Sequence, residues 1–207
     1  MKSIIVLDTE TTGQDPNKHE IIEIAWKLYI REDEDSEWAC WKYGDYKTKP
    51  HRINSADSEA LAINGYNEED WKDAVDFNDV VPEIMADIES VDYLVGHNLI
   101  FDLYFIREEC RRLYFRDPEF PEYIDTRYEG TELRKAGKLN FSPSLRTLCE
   151  HYNIEIFGRE HTALVDCEST FSVFKRLSED VEMFSFWTFD NPYSDPKYNN
   201  DFIEHKR

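Results

Sequence analysis

Four carboxylates and one histidine stand in three short stretches whose residue types suit a single reaction. Asp8 and Glu10 end the apolar run Ile4-Ile5-Val6-Leu7-Asp8-Thr9-Glu10. Asp102 closes His97-Asn98-Leu99-Ile100-Phe101-Asp102 at the start of a helical pattern. His161 and Asp166 bound His161-Thr162-Ala163-Leu164-Val165-Asp166, which opens another. Carboxylate and water oxygens are the donors that Mg2+ and Mn2+ prefer. Two such ions about 3.5–4 Å apart can clamp a phosphoryl centre, one at the attacking water and one at the leaving oxygen. A nearby histidine, whose proton affinity lies near neutral pH, can accept the proton of that water. The set reads as that of a metal-dependent phosphodiesterase.

Each stretch also has a duller reading. Asp-x-Glu pairs are common and usually only solvated, but residues two apart on a strand point to the same side. Asp8 and Glu10 can therefore share one metal and bridge to a second. Their position after four apolar residues and before Thr11-Thr12-Gly13 favours catalysis, with Gly13 letting the backbone approach a substrate. Asn98 suits a helix cap as well as a substrate contact. Asp102 is also an acid that a helix dipole favours. His97 reads as structural, and Cys167 as core. His161 precedes Asp166 by five positions, so the two do not share a helix face. His161 is expected on the loop ahead of the helix, although alone it would read as a surface histidine. Arg107, Arg111, Arg112 and Arg116 form the densest basic group. Ion pairing with Glu108, Glu109 and their neighbours is favoured there over phosphate binding.

These residues need a frame. Ile4–Leu7 suits a buried central strand, with Ile21–Ile30 and Trp38–Thr48 completing an antiparallel meander. Ser55–Ile63 reads as a short helix stopped by Gly65. Asp79–Ile88 reads as a helix with Pro82 in its first turn. Tyr93–Gly96 and Glu122–Thr126 are short strands around a helix over Ile100–Tyr114. Ser144–Tyr152 and Thr162–Leu177 read as further helices. The order gives an α/β fold, a mixed five-stranded sheet flanked by helices. Residues 1–180 are expected to form one domain. Residues 181–207, including Asp190-Asn191-Pro192-Tyr193-Ser194-Asp195-Pro196-Lys197, are expected as a tail laid on it or bound to a partner.

Composition narrows the setting. Of 207 residues, 41% are apolar and 14% aromatic, enough for a sizeable core. No stretch approaches the roughly 18 apolar residues of a membrane span, and no secretory signal is evident, so an intracellular protein with no membrane partner is expected. The four cysteines (Cys40, Cys110, Cys149, Cys167) lack ligand spacing and read as buried free thiols. The formal net charge is −20, from 24 Lys and Arg against 44 Asp and Glu. Proteins that grip long nucleic acid are usually basic on one face, so a short, salt-sensitive footprint is expected. Most of the excess acid serves solubility.

Taken in order, the stretches resemble the DEDDh 3′–5′ exonucleases of the ribonuclease H-like superfamily, a group that includes replicative proofreading subunits. Asp8-Thr9-Glu10-Thr11-Thr12-Gly13 followed by Ile21-Ile22-Glu23-Ile24-Ala25 resembles the first motif. His97-Asn98-x-x-Phe101-Asp102-x-x-Phe105 resembles the second, and His161-x-Ala163-x-x-Asp166 the third. Ile124-Asp125-Thr126 and Ser144-Leu145-Arg146-Thr147-Leu148-Cys149 also look like family segments, and the match covers about residues 3 to 177. The resemblance implies a ribonuclease H-like sheet and two Mg2+ (or Mn2+) ions. Asp8, Glu10 and Asp166 would hold the catalytic ion, with Asp8 shared by the second ion and Asp102 completing its site. His161 would take the proton from water, releasing a nucleoside 5′-monophosphate from a DNA 3′ end. Thr9 and Thr11 would lie along the terminal nucleotide and Asn98 near the scissile phosphate.

The implied partners are single-stranded DNA or RNA 3′ ends and a polymerase or other replication protein. The alternatives are the same chemistry on RNA, and a catalytically idle module that binds a basic partner. Gln14 is the single glutamine, so the Gln-led clamp-binding peptide expected of a bacterial proofreading subunit is missing. The aromatic, acidic tail is also unlike that subunit's polymerase-binding extension. A free-standing exonuclease or an unusual proofreading partner fits better.

Overall fold

The structure is a computed structural model and describes residues 1–113 and 117–189. β1 (Lys2–Thr11), β2 (Ile21–Arg31) and β3 (Ala39–Lys47) form the antiparallel meander. β4 (Tyr93–Gly96) pairs parallel to β1, and β5 (Tyr123–Asp125) pairs parallel to β4. The order β3-β2-β1-β4-β5 makes β1 the central strand. Its apolar run is therefore buried on both faces, with Ile4 to Leu7 no more than 1% exposed.

Strand alternation divides the core. Ile5 and Leu7 pack with one helical layer, α2 (Phe77–Ile88) and α3 (Leu99–Arg112). Ile4 and Val6 pack with α6 (Ala163–Asp180) on the other face. Asp8 and Glu10 continue the second series, so they lie on the face that α6 covers. α5 (Leu145–Tyr152) packs against the outer flank of α6 through Leu148, Cys149, Val173 and Leu177. Ser144, where the sequence places the start of this helix, caps α5 by accepting from the Thr147 N–H. Asp57 caps α1 (Ser58–Asn64), and Gly65 ends it in the left-handed region at φ 69°.

Three expectations need correction. α2 begins two residues early, where buried Phe77 anchors its start, so Pro82 falls in the second turn rather than the first. α4 (Thr126–Lys135) is absent from the sequence reading. Its buried positions Thr126, Glu129, Gly130 and Leu133 have helical spacing, but only Leu133 is large and apolar. Cys40 is exposed, unlike the three buried cysteines, because β3 is an edge strand with one open face.

After α6 the chain returns to the sheet. Trp187 and Tyr123 exchange backbone hydrogen bonds of 2.8 and 2.9 Å. Phe184 stacks on Phe174, and Phe189 packs edge-on against Phe120 and Tyr104. Tyr114, Arg116 and the stretch from Asp190 to Lys197 lie outside the described residues. No helix among the described residues is long and apolar enough to cross a membrane.

Two measurements check this packing. Gly44 stands opposite the buried Trp26, and a Cβ there would come within 2.2 Å of the indole. Gly44→Ala should cost about 1–3 kcal/mol in denaturant unfolding by overpacking, and an unchanged midpoint would contradict the register. A thiol reagent should modify Cys40 alone in the folded protein and all four cysteines in denaturant. Burial pushes the Cys110 and Cys149 thiols up to about 12 and about 11, away from the reactive thiolate form.

Candidate active site

The site forms where β1 ends and two helices from opposite faces arrive. α6 reaches it from one side. Its Cys167 lies against the sheet, the thiol donating to the backbone oxygens of Val6 at 3.7 Å and Ala25 at 3.2 Å. That contact seats the first turn of α6 over the end of β1, with Asp166 one residue earlier. Glu10, His161 and Asp166 each offer one donor atom, and the three atoms lie within 4.8 Å of one another. Glu10 is buried, Asp166 half-buried and His161 exposed.

α3 reaches the same place from the other side. Asp102 Oδ1 accepts the Thr9 N–H at 3.0 Å and the Thr9 hydroxyl at 2.6 Å. Both residues are buried, Thr9 at 0% and Asp102 at 3% exposure. Burial, then the negative charges of Asp8, Asp166 and Asp102, hold the Cys167 thiol well above the usual range. The charges of carboxylates from three separate elements, β1, α6 and α3, therefore all bear on one buried thiol. Two carboxylates and an imidazole within this reach fit a divalent cation by the chemistry of the donor set.

His161 sits on the loop ahead of α6, as its spacing predicts. Its φ of 61° is left-handed, a conformation that costs a non-glycine residue about 1–3 kcal/mol. The neighbouring residues secure the loop. Arg159 donates to the Ile63 oxygen at 3.1 Å near the end of α1, and Glu160 pairs with Arg146 of α5 at 3.5 Å.

The other singled-out residues have local partners. Thr9 orients Asp102, and the buried Thr11 hydroxyl donates to the Gly13 oxygen at 2.7 Å. Gly13 is small because a Cβ would come 2.5 Å from the His19 ring, a reason apart from substrate approach. Asn98 occupies the cap position of α3 but is left-handed, φ 68°, and its side chain makes no capping hydrogen bond. Its N–H instead donates to Asp125 at 3.0 Å. His97 Nδ1 lies 2.9 Å from the Thr126 hydroxyl. Arg107, Arg111 and Arg112 pair with Asp117, Glu108 and Glu109, the ion-pairing reading of that group. Sequence reasoning gave no role to Asp125 or to Glu23. The available signal was their place in Ile124-Asp125-Thr126 and Ile21-Ile22-Glu23, each an isolated acid after apolar strand residues.

A family model described as "Exonuclease" matches residues 5–174. The chain belongs to this exonuclease family. It is similar to a DNA polymerase III PolC-type of Thermotoga petrophila, 35% identical over 181 residues, covering 86% of this chain and 12% of that protein. It is also similar to a DNA polymerase III subunit epsilon of Buchnera aphidicola, 29% identical over 173 residues, covering 79% of this chain and 66% of that one. The chain thus spans only a small part of the PolC-type relatives. In fold it resembles the nuclease domain of 3′hExo, a DEDDh family member solved with rAMP. The TM-score is 0.71 at 19% identity, over 90% of this chain and 96% of that one. It also resembles E. coli Exonuclease I in complex with a dT13 oligonucleotide, with a TM-score of 0.68 at 16% identity, over 86% and 41% of the two chains. Both are ribonuclease H-like exonuclease folds, as the sheet order here is.

The Thr9–Asp102 link is open to a direct test. Thr9→Val keeps the shape of the side chain but removes one hydrogen bond to a buried carboxylate. The expected loss is about 1.5–3 kcal/mol in equilibrium unfolding. Wild-type stability would mean that the hydroxyl does not hold Asp102.

Proposed function

We propose that the chain is a divalent-metal-dependent 3′–5′ exonuclease that acts on single-stranded or frayed DNA ends and releases nucleoside 5′-monophosphates. The observation that carries this reading is the convergence of Glu10, His161 and Asp166 within 4.8 Å at the end of β1, beside Asp8 and Asp102. Asp8, Glu10 and Asp166 would hold the first of two Mg2+ or Mn2+ ions, and Asp8 and Asp102 would hold the second. Bound there, the cations supply Lewis-acid stabilisation of the phosphoryl oxygens. His161, on its exposed loop, accepts the proton of the attacking water through an imidazole nitrogen. Thr9 and Thr11 lie along the terminal nucleotide, and Asn98 lies near the scissile phosphate. Residues 1–180 form the catalytic unit, residues 181–189 return to its sheet, and the C-terminal segment is the part that engages a partner such as a polymerase. The family membership and the polymerase III relatives support this reading. The net charge of −20 supports a short footprint in place of tracking along a duplex.

The assay is digestion of matched, 5′-labelled single-stranded DNA and RNA oligomers with Mg2+, with Mn2+ and with chelator. A ladder shortening from the 3′ end, metal-dependent and faster on DNA, is expected. Faster RNA digestion would reassign the substrate to oligoribonucleotides. Asp8→Ala and Asp166→Ala should nearly abolish turnover, and a wild-type rate in either would overturn the ligand assignment. His161→Ala should lose about 10²–10⁴-fold, with the acidic limb of the pH–rate profile, where a protonated imidazole can no longer accept the water proton, altered. No ladder under any condition would leave an idle binding module.

A further inference from the structure

Neither helix that delivers a site carboxylate is capped by its own N-terminal side chain. Asn98 precedes α3 and Thr162 precedes α6 at the cap positions, and neither side chain makes a capping hydrogen bond. A carboxylate from a strand does the work in both. Glu23 Oε1 on β2 accepts the Ala163 N–H at 2.9 Å. Asp125, at the end of β5, accepts the Asn98 N–H through Oδ1 and the Leu99 N–H through Oδ2, each at 3.0 Å. Asp125 Oδ1 also takes the Arg127 and Tyr128 N–H groups that open α4, at 2.9 and 3.2 Å.

The placement repeats. The anchored N–H groups of Leu99 and Ala163 belong to the first residue of each helix, three residues before Asp102 and Asp166 respectively. Residues three apart share one side of a helix, so fixing the first fixes the direction of the second. Glu23 also stands directly opposite Glu10 in the β1–β2 register. Opposed residues of an antiparallel pair share a face, so one rung of the sheet presents both a site carboxylate and the anchor of the helix bearing Asp166. These anchors are not cheap. Glu23 and Asp125 are 3% and 8% exposed, and burial pushes both carboxyls above their usual range against the pull of the N–H donors. A short polar side chain at the helix's own cap position would satisfy the same N–H groups with less desolvation.

We propose that Glu23 and Asp125 are positioning residues that set where Asp166 and Asp102 meet the divalent cations. The proposal rests on the metal-site reading above. An oxygen acceptor on the strand holds the first N–H of each helix, and the helix in turn aims its carboxylate. Loss of the acceptor lets the first turn relax away from the like-charged cluster and weakens cation binding.

The test is titration of the full chain with Mn2+ alone, followed by calorimetry, with thermal unfolding measured in parallel. Glu23→Ala should weaken Mn2+ binding by about 10–100-fold. Glu23→Gln keeps an oxygen acceptor and should recover most of the loss. Asp87→Ala is the control. It removes a buried acid that holds Trp26 and Lys42 on the opposite face of the sheet, so it should lower the melting temperature and leave Mn2+ affinity unchanged. Wild-type Mn2+ affinity in Glu23→Ala, or a Glu23→Gln no better than the alanine variant, would overturn the proposal. Should the alanine variant not fold, Asp125→Asn decides. It keeps the volume but offers one accepting oxygen where two are used, so unchanged affinity overturns the proposal and weakened affinity supports it. A wild-type chain that takes up no Mn2+ would overturn the metal-site reading itself, and the proposal with it.

Discussion

Like charge gathered at one point is the constraint that the rest of this structure serves. Asp8, Glu10, Asp102 and Asp166 meet at the end of β1. Two unit charges 4 Å apart repel by about 4 kcal/mol at an effective dielectric near 20. No local structure would assemble such a group unaided. The chain does it with its stiffest element, the central strand, buried on both faces and flanked on both edges. Thr9 fixes the carboxylate that comes from one side, and the Cys167 contact seats the helix that comes from the other. A divalent cation relieves the repulsion, so cation binding and fold stability are linked.

The arrangement also makes use of the sheet's alternation. Even-numbered positions of β1 serve first as core, at Ile4 and Val6, and then as site, at Asp8 and Glu10, on the α6 face. Thr9 turns to the other side and meets Asp102. One strand thereby addresses both helical layers within three consecutive residues. The basic residues that sequence places nearest the site on α3 are taken up by Asp117, Glu108 and Glu109. This agrees with the short footprint proposed for the site.

Much of this was legible in the sequence because the signals were local. The apolar run before Asp8, the Gly65 stop, the Ser144 cap and the three motifs each announce themselves within a few residues. What was missed depends on distant partners. α4 has no apolar stripe, since its buried face is built from Thr126, Glu129 and Gly130. Buried Glu129 is stabilised by the Ser185 N–H, 56 residues away. The exposure of Cys40 follows from β3 being the edge strand, which depends on a strand order that local sequence does not carry. Asn98 looked like a cap, but Asp125 of a later strand takes that task. Glu23 acts on Ala163 across 140 residues, a pairing that only the folded sheet creates.

X-ray diffraction from crystals soaked in Mn2+ and a nucleoside 5′-monophosphate, recorded near the manganese absorption edge, tests the central claim most directly. An anomalous peak among the carboxylates of Asp8, Glu10 and Asp166, at about 2.0–2.2 Å from their oxygens, is the expected result. A peak only at other surface acids, or none at the end of β1, would contradict the account.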